Sequence, residues 1–129
     1  MTGVVGLGLD LVDLDRFELL YGTEDPELLA RCFTHQELLD AGRGVDRLAR
    51  LAARFAAKEA VFKALGGAPG VAHTDIEVVR SKSGAPEVRL HGAATEMAKA
   101  AGADSLALSL THSGSTAAAV VVAISTGPR

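Results

Sequence analysis

Twenty residues, Arg47 to Gly66 (RLARLAARFAAKEAVFKALG), constrain the fold more than any other stretch. Apolar residues recur at three- and four-residue spacing, alanine is dense and proline absent, so the stretch reads as one helix. Asp46 is placed to cap its start, and Gly66-Gly67 offers a left-handed stop. At ~100° per residue with Leu48 at zero, Phe55 falls at about −20°, Phe62 at about −40°, Leu51 at about −60° and Ala52 at about +40°. Glu59 falls at about +20°, inside this apolar stripe. A carboxylate aimed at a core is expensive to desolvate. Three environments account for it: an i,i+4 ion pair with Lys63, worth roughly 0.2–0.5 kcal/mol; a wet boundary at the end of the core; or a metal-binding or catalytic place in a cleft. The last two can coincide. Arg47, Arg50, Arg54, Lys58 and Lys63 flank the helix, either as a solvated basic face or as an anion site around one acid.

The chain of 129 residues suggests a single domain over 1–129, long enough to bury a core without staples. Its net charge of −3 argues against nucleic-acid binding. The bases are nonetheless dense between Arg43 and Lys63, which suits a small polyphosphate or an acidic protein surface. Cys32 is alone and reads as a packing residue, consistent with a reducing compartment. The first residues lack a basic run, and Asp10 and Asp13 break their apolar stretch, unlike a signal peptide. No apolar run approaches the ~20 residues that span a bilayer. The expected location is therefore cytoplasmic, away from membranes.

Val4 to Val12 (VVGLGLDLV) reads as a buried strand, with Asp10 on the same face as Gly8 and Val12. Its glycines do not make a dinucleotide fingerprint, because Leu11 stands where the third would fall. They suit close backbone approach, to a packing partner or to a ligand. Asp10 reads either as a functional acid or as a strand-end turn acid that starts the next helix. Asp13 to Tyr21 looks helical. Asp25-Pro26-Glu27 starts a second helix, and Thr34 with Glu37 forms a capping box for a third. Asp75 to Arg80 and Glu87 to His91 form a hairpin, Gly92 to Ala101 a small helix, and Ser105 to His112 a strand of alternating pattern. Ala117 to Ile124 is almost wholly apolar and is expected to be buried on both faces. This order predicts an α+β domain, with the long helix packed on a mainly antiparallel sheet.

The polar residues that interrupt apolar patterns are Asp10, Glu59, Lys63 and His112. Two carboxylates from different elements suit Mg²⁺, which takes one or two acids and fills its remaining positions with water and substrate phosphate. They do not suit Zn²⁺, since His35, His73, His91 and His112 are scattered. Of these, His112, at a strand end beside a Ser/Gly loop, is the best functional candidate. The same acid pair would serve glycoside cleavage, but the bases around Glu59 favour a phosphorylated substrate.

Three motifs together closely resemble the holo-acyl-carrier-protein synthases, the short 4′-phosphopantetheinyl transferases. They are Gly8-Leu9-Asp10-Leu11-Val12-Asp13 with Arg16; Arg54-Phe55-Ala56-Ala57-Lys58-Glu59-Ala60 with Lys63-Ala64-Leu65-Gly66; and Ser109-Leu110-Thr111-His112. Arg31-Cys32-Phe33-Thr34, Glu37 and Gly84-x-Pro86 also match. The resemblance covers nearly the whole chain. It implies the 4′-phosphopantetheinyl transferase fold and transfer of the 4′-phosphopantetheine arm of coenzyme A to a serine of an acyl carrier protein, releasing 3′,5′-ADP. It further implies a homotrimer with active sites between subunits. By the resemblance, Asp10 and Glu59 ligate Mg²⁺ together with the coenzyme A pyrophosphate, and Asp10, Glu59 and Lys63 form the catalytic group. Lys63, Arg54 and His112 hold phosphates, Gly66 and Pro86 lie near the nucleotide, and Arg16 meets the acidic recognition helix of the carrier. The family usually has Glu where Asp13 stands and Ser where Thr111 stands. The alternative is a non-catalytic subunit that binds coenzyme A or the carrier; retention of Asp10, Glu59 and Lys63 argues against it.

Overall fold

A computed structural model describes residues 2–127. β1 (Thr2–Asp13) leads into α1 (Leu14–Tyr21), α2 (Pro26–Cys32), α3 (His35–Asp40) and the long α4 (Arg47–Ala64). A 3-10 turn, His73–Asp75, precedes the hairpin β2 (Ile76–Arg80) and β3 (Pro86–Leu90). Then follow α5 (Ala93–Ala101), β4 (Ser105–Ser113) and β5 (Thr116–Thr126). The strands form two antiparallel sheets, β1-β5-β4 and β2-β3.

Local chemistry sets the helix starts. Asp13 accepts from the Asp15 amide at the head of α1, and Asp25 from the Glu27 amide ahead of Pro26. The Thr34 hydroxyl and Glu37 carboxylate cap α3 reciprocally. Asp46 precedes α4 but makes no side-chain capping bond.

Alternation along β1 sends Gly6, Gly8, Asp10 and Val12 toward α4, and leaves Leu7, Leu9 and Leu11 on the opposite face. The two glycines let the helix lie against the strand backbone. A Cβ at Gly6 would stand 1.8 Å from the Ala64 carbonyl oxygen, and one at Gly8 1.8 Å from that of Ala60. Two strand residues advance about 6.6 Å and four helix residues about 6 Å, so the match persists along the contact. The next inward residue, Asp10, therefore comes abreast of the helix turn that carries Glu59.

Helix α4 is covered on more sides than one stripe implies. Its buried residues include Arg54 and Lys58 as well as Ala56, Ala57, Ala60 and Val61. Of the three environments open to Glu59, the structure gives the wet boundary at the end of the core, with its side chain 37% exposed. Its helical angle places it within the apolar stripe, and the stripe's cover is incomplete at that turn. The fully enclosed charge is Lys58, which donates to Glu37 Oε1 at 2.7 Å and to the carbonyls of His73 and Ile76 at 2.9 and 2.6 Å. Glu37 also accepts the Thr34 and Val78 amides. Burial pushes the Lys58 ammonium below its ordinary pKa, and the Glu37 carboxylate opposes that shift. A buried ion pair with so many hydrogen bonds fixes α3, α4 and β2 to one another.

β5 corrects a second expectation. It is central and apolar on both faces, yet only the face carrying Ala117, Ala119, Val121 and Ala123 is buried, beneath α4. Val120 faces outward between Leu9 of β1 and Ser109 of β4. Among the described residues, no helix is long and apolar enough to cross a membrane.

Candidate active site

The strand–helix contact brings two carboxylates to one cavity. Asp10 and Glu59 both line a hollow of about 350 Å³, whose other walls include Arg16, Phe17, Leu20, Tyr21 and Phe55. Lys63 Nζ donates to Asp10 Oδ1 at 2.8 Å and to the Leu9 carbonyl at 3.1 Å. Lys63 thus pairs with Asp10 and not with Glu59, one turn away on its own helix. The hydrogen bond to Asp10 raises the Lys63 pKa, so its ammonium is held charged.

Glu59 separates that hollow from a smaller one of about 150 Å³, walled by Phe62, Val71, His73 and Ile76. His73 Nε2 lies 3.6 Å from Glu59 Oε1, and its ring stacks on Phe55 with centroids 5.2 Å apart at 13°. Phe17, Tyr21 and Phe55 continue this aromatic wall. His73 was not distinguishable from the other scattered histidines by spacing. Its only sequence signal is a position shortly after the long helix, before the hairpin.

Tyr21 shares a 3.4 Å hydrogen bond with the Cys32 sulfur. Burial, then that hydrogen bond and the charges of Cys32 and Glu59, push its phenol from 10.0 up to about 12. It is the chain's one tyrosine, so its ionisation can be followed by ultraviolet absorbance without deconvolution. The expected midpoint is about 12. The unfolded chain releases this proton at its ordinary pKa while the fold retains it, so stability falls as pH rises from 10.0 to about 12. A midpoint at the ordinary value would contradict this packing.

The remaining predicted residues lie elsewhere in the chain. His112 sits on edge strand β4 opposite Ala117, whose other neighbour is Val12 of β1. That places it about 10 Å across the sheet from β1, exposed and outside the cavity. Arg54 is buried; its Nη1 donates to the Arg50 carbonyl, while its Nε has no partner. Burial lowers its pKa, opposed by Asp40 and then Glu37. Pro86 pairs with Arg80 at the far end of the hairpin. Gly66 follows α4 with φ +83°, its amide donating to the Lys63 carbonyl. Within one chain the structure thus joins Asp10, Glu59, Lys63 and Arg16, and does not bring His112, Arg54 or Pro86 to them.

Among the described residues, no three Asp, Glu, His or Cys side chains form a self-sufficient metal cage. Two carboxylates at a hollow open to solvent fit a hard cation that draws its other ligands from water and a substrate oxygen, as Mg²⁺ does. The set does not fit a soft or imidazole-seeking metal.

Residues 6–121 match the sequence model of the 4′-phosphopantetheinyl transferase superfamily. The chain is 48% identical over 120 residues to a holo-[acyl-carrier-protein] synthase of Frankia casuarinae, covering 93% of this chain and 97% of that one. Among solved structures, it resembles the acyl carrier protein synthase of Mycobacterium tuberculosis, with TM-score 0.71 and 38% identity, over 97% of this chain and all of that one. It also resembles the holo-(acyl-carrier-protein) synthase of Bacillus anthracis in complex with CoA (3′,5′-ADP), with TM-score 0.76 and 31% identity, over 98% of this chain and all of that one.

Proposed function

The chain belongs to the 4′-phosphopantetheinyl transferase superfamily, and from that we propose that it transfers the 4′-phosphopantetheine arm of coenzyme A to a serine of an apo acyl carrier protein, with Mg²⁺ as cofactor. The serine oxygen bonds to the phosphorus that bears pantetheine, the pyrophosphate bridge to 3′,5′-ADP breaks, and the serine proton passes to a base. The observation that carries this reading is the meeting of Asp10 and Glu59, from different elements, on one cavity beside an ammonium.

Asp10 and Glu59 would hold the metal, which when bound would supply positive charge to answer that building on the pyrophosphate oxygens. Lys63 keeps its charge beside Asp10 and offers its protons to the same oxygens. The aromatic wall of Phe17, Tyr21 and Phe55 excludes water from one side, which strengthens each of these interactions. His112, Arg54, Gly66 and Pro86 take the nucleotide end and its phosphates. Because His112, Arg54 and Pro86 stand away from the carboxylates of their own chain, this assignment requires a second chain to present them.

The reading therefore includes a homotrimer with active sites at subunit interfaces. The uncovered face of the β1-β5-β4 sheet supports it: Leu7, Leu9 and Leu11 are each more than half exposed beside Val120. Leu9→Asp is expected to reduce the assembly from three copies of the 13.3 kDa chain to one, read by sedimentation equilibrium, and to abolish transfer. A wild-type chain that sediments as a monomer and is fully active would contradict the shared site. The free, buried Cys32 suits a reducing cytoplasm.

The direct test incubates the protein with coenzyme A, Mg²⁺ and an apo carrier. The expected result is a phosphopantetheine mass gain on the carrier serine. No gain on fatty-acid, polyketide and peptide carriers alike would refute the reading.

A further inference from the structure

We propose that the partner docking over α1 is a carrier protein whose docking helix is apolar and neutral or basic, with one acid for Arg16, and not a uniformly acidic helix. The proposal rests on the transferase reading, because it assigns the chemistry of the acceptor that the same cavity serves.

The cavity holding Asp10 and Glu59 is bordered by α1, which contributes Arg16, Phe17, Leu20 and Tyr21 to its wall. An acceptor hydroxyl that reaches the carboxylates from that side crosses this helix. On its outer face Leu19 is 87% exposed and Leu20 58%, an apolar pair with nothing packed over it in the chain. A docking helix covers such a pair with apolar side chains of its own.

Charge then decides the rest of the partner. Between Asp13 and Glu27 the sequence places six acids against the single base Arg16. Glu24 is committed to Arg47 at 2.9 Å. Asp13, which lines the cavity, and Asp25 cap the starts of α1 and α2. Asp15 and Glu18 flank the leucines, exposed, and no ion pair of theirs occurs among the described residues. Asp15 and Glu18, three positions apart on α1, lie within the screening length of about 8 Å at physiological salt and act together as a negative field. A helix rich in Asp and Glu would find one complementary charge here and several like ones. Like-charge juxtaposition slows encounter and selects against the wrong partner. The complementary helix carries one acid opposite Arg16, leucine-like residues opposite Leu19 and Leu20, and neutral or basic residues opposite Asp15 and Glu18.

The test compares initial rates of phosphopantetheine transfer, read by mass gain, on two apo carriers. One has an Asp/Glu-rich docking helix; the other is the same protein with those acids changed to Asn and Gln. The neutralised carrier is expected to show a kcat/KM about tenfold higher, the scale on which surface charge shifts association. The rate on the acidic carrier is expected to rise as salt screens the repulsion. Asp15→Lys with Glu18→Lys is expected to reverse both orders, which a merely structural role for these exposed residues would not do. Equal rates on the two carriers, or faster transfer to the acidic one that falls with salt, would overturn the proposal and leave the transferase reading standing. No mass gain on either carrier, from protein that still binds coenzyme A, would overturn the transferase reading and this proposal with it.

Discussion

Glu59→Gln is expected to fold as the wild type does and to lose phosphopantetheine transfer by about 10²–10³-fold, the usual cost of removing one preorganised electrostatic group. The fold should survive because Glu59 lies at the margin of the core, with His73 Nε2 3.6 Å from its carboxylate. The amide keeps the shape and loses the negative charge that a divalent cation requires. The loss should fall on kcat at saturating coenzyme A, since the missing interaction is the one that answers charge developing during the reaction. Asp10→Asn should behave alike in transfer, with one difference. It also takes the charged partner from Lys63, whose raised pKa depends chiefly on that hydrogen bond. Wild-type turnover in either variant, with Mg²⁺ present, would refute the metal assignment.

The second large effect is structural. Gly8→Val should destabilise the chain by roughly 3 kcal/mol or more, the upper range of overpacking costs. The added Cβ would meet the Ala60 carbonyl oxygen at 1.8 Å, a backbone atom that cannot rotate away. The helix would have to lift from β1, opening the contacts around Ala56, Ala60 and Val121 in the main core. Against a total stability of about 5–15 kcal/mol, such a loss lowers the melting temperature by about 10 °C or more. An unchanged melting temperature would mean that α4 does not rest on the strand at Gly8. Because this contact also sets Asp10 abreast of Glu59, any folded fraction of the variant should transfer poorly.

Much of this was legible in the residues, and the exceptions have physical causes. The caps at Asp25 and Thr34 were readable because they depend on neighbours two or three positions away, whereas Asp13, read as the first helical residue, is the cap of α1. Asp10's direction followed from strict alternation with Gly8 and Val12. Glu59's helical angle showed it to be anomalous but left three environments open, because periodicity locates a stripe but not where its cover ends. Lys58 and Glu37 are 21 positions apart in sequence, and their enclosure depends on the His73 and Ile76 carbonyls arriving from a third segment. No local pattern encodes that meeting. The same limit hid His73, whose neighbours Phe55 and Glu59 belong to another element. β5 read as doubly buried because its composition is apolar on both faces; composition does not say whether the cover comes from the same chain.

The central claim is that Asp10 and Glu59 jointly hold a divalent cation. Calorimetric titration of Mg²⁺ into the protein saturated with coenzyme A tests it, alongside Asp10→Asn and Glu59→Gln whose folding has been checked by circular dichroism. One ion per chain in the wild type, and loss of that binding in both variants with unchanged helix content, is the predicted result. Undiminished Mg²⁺ affinity in both variants would contradict it.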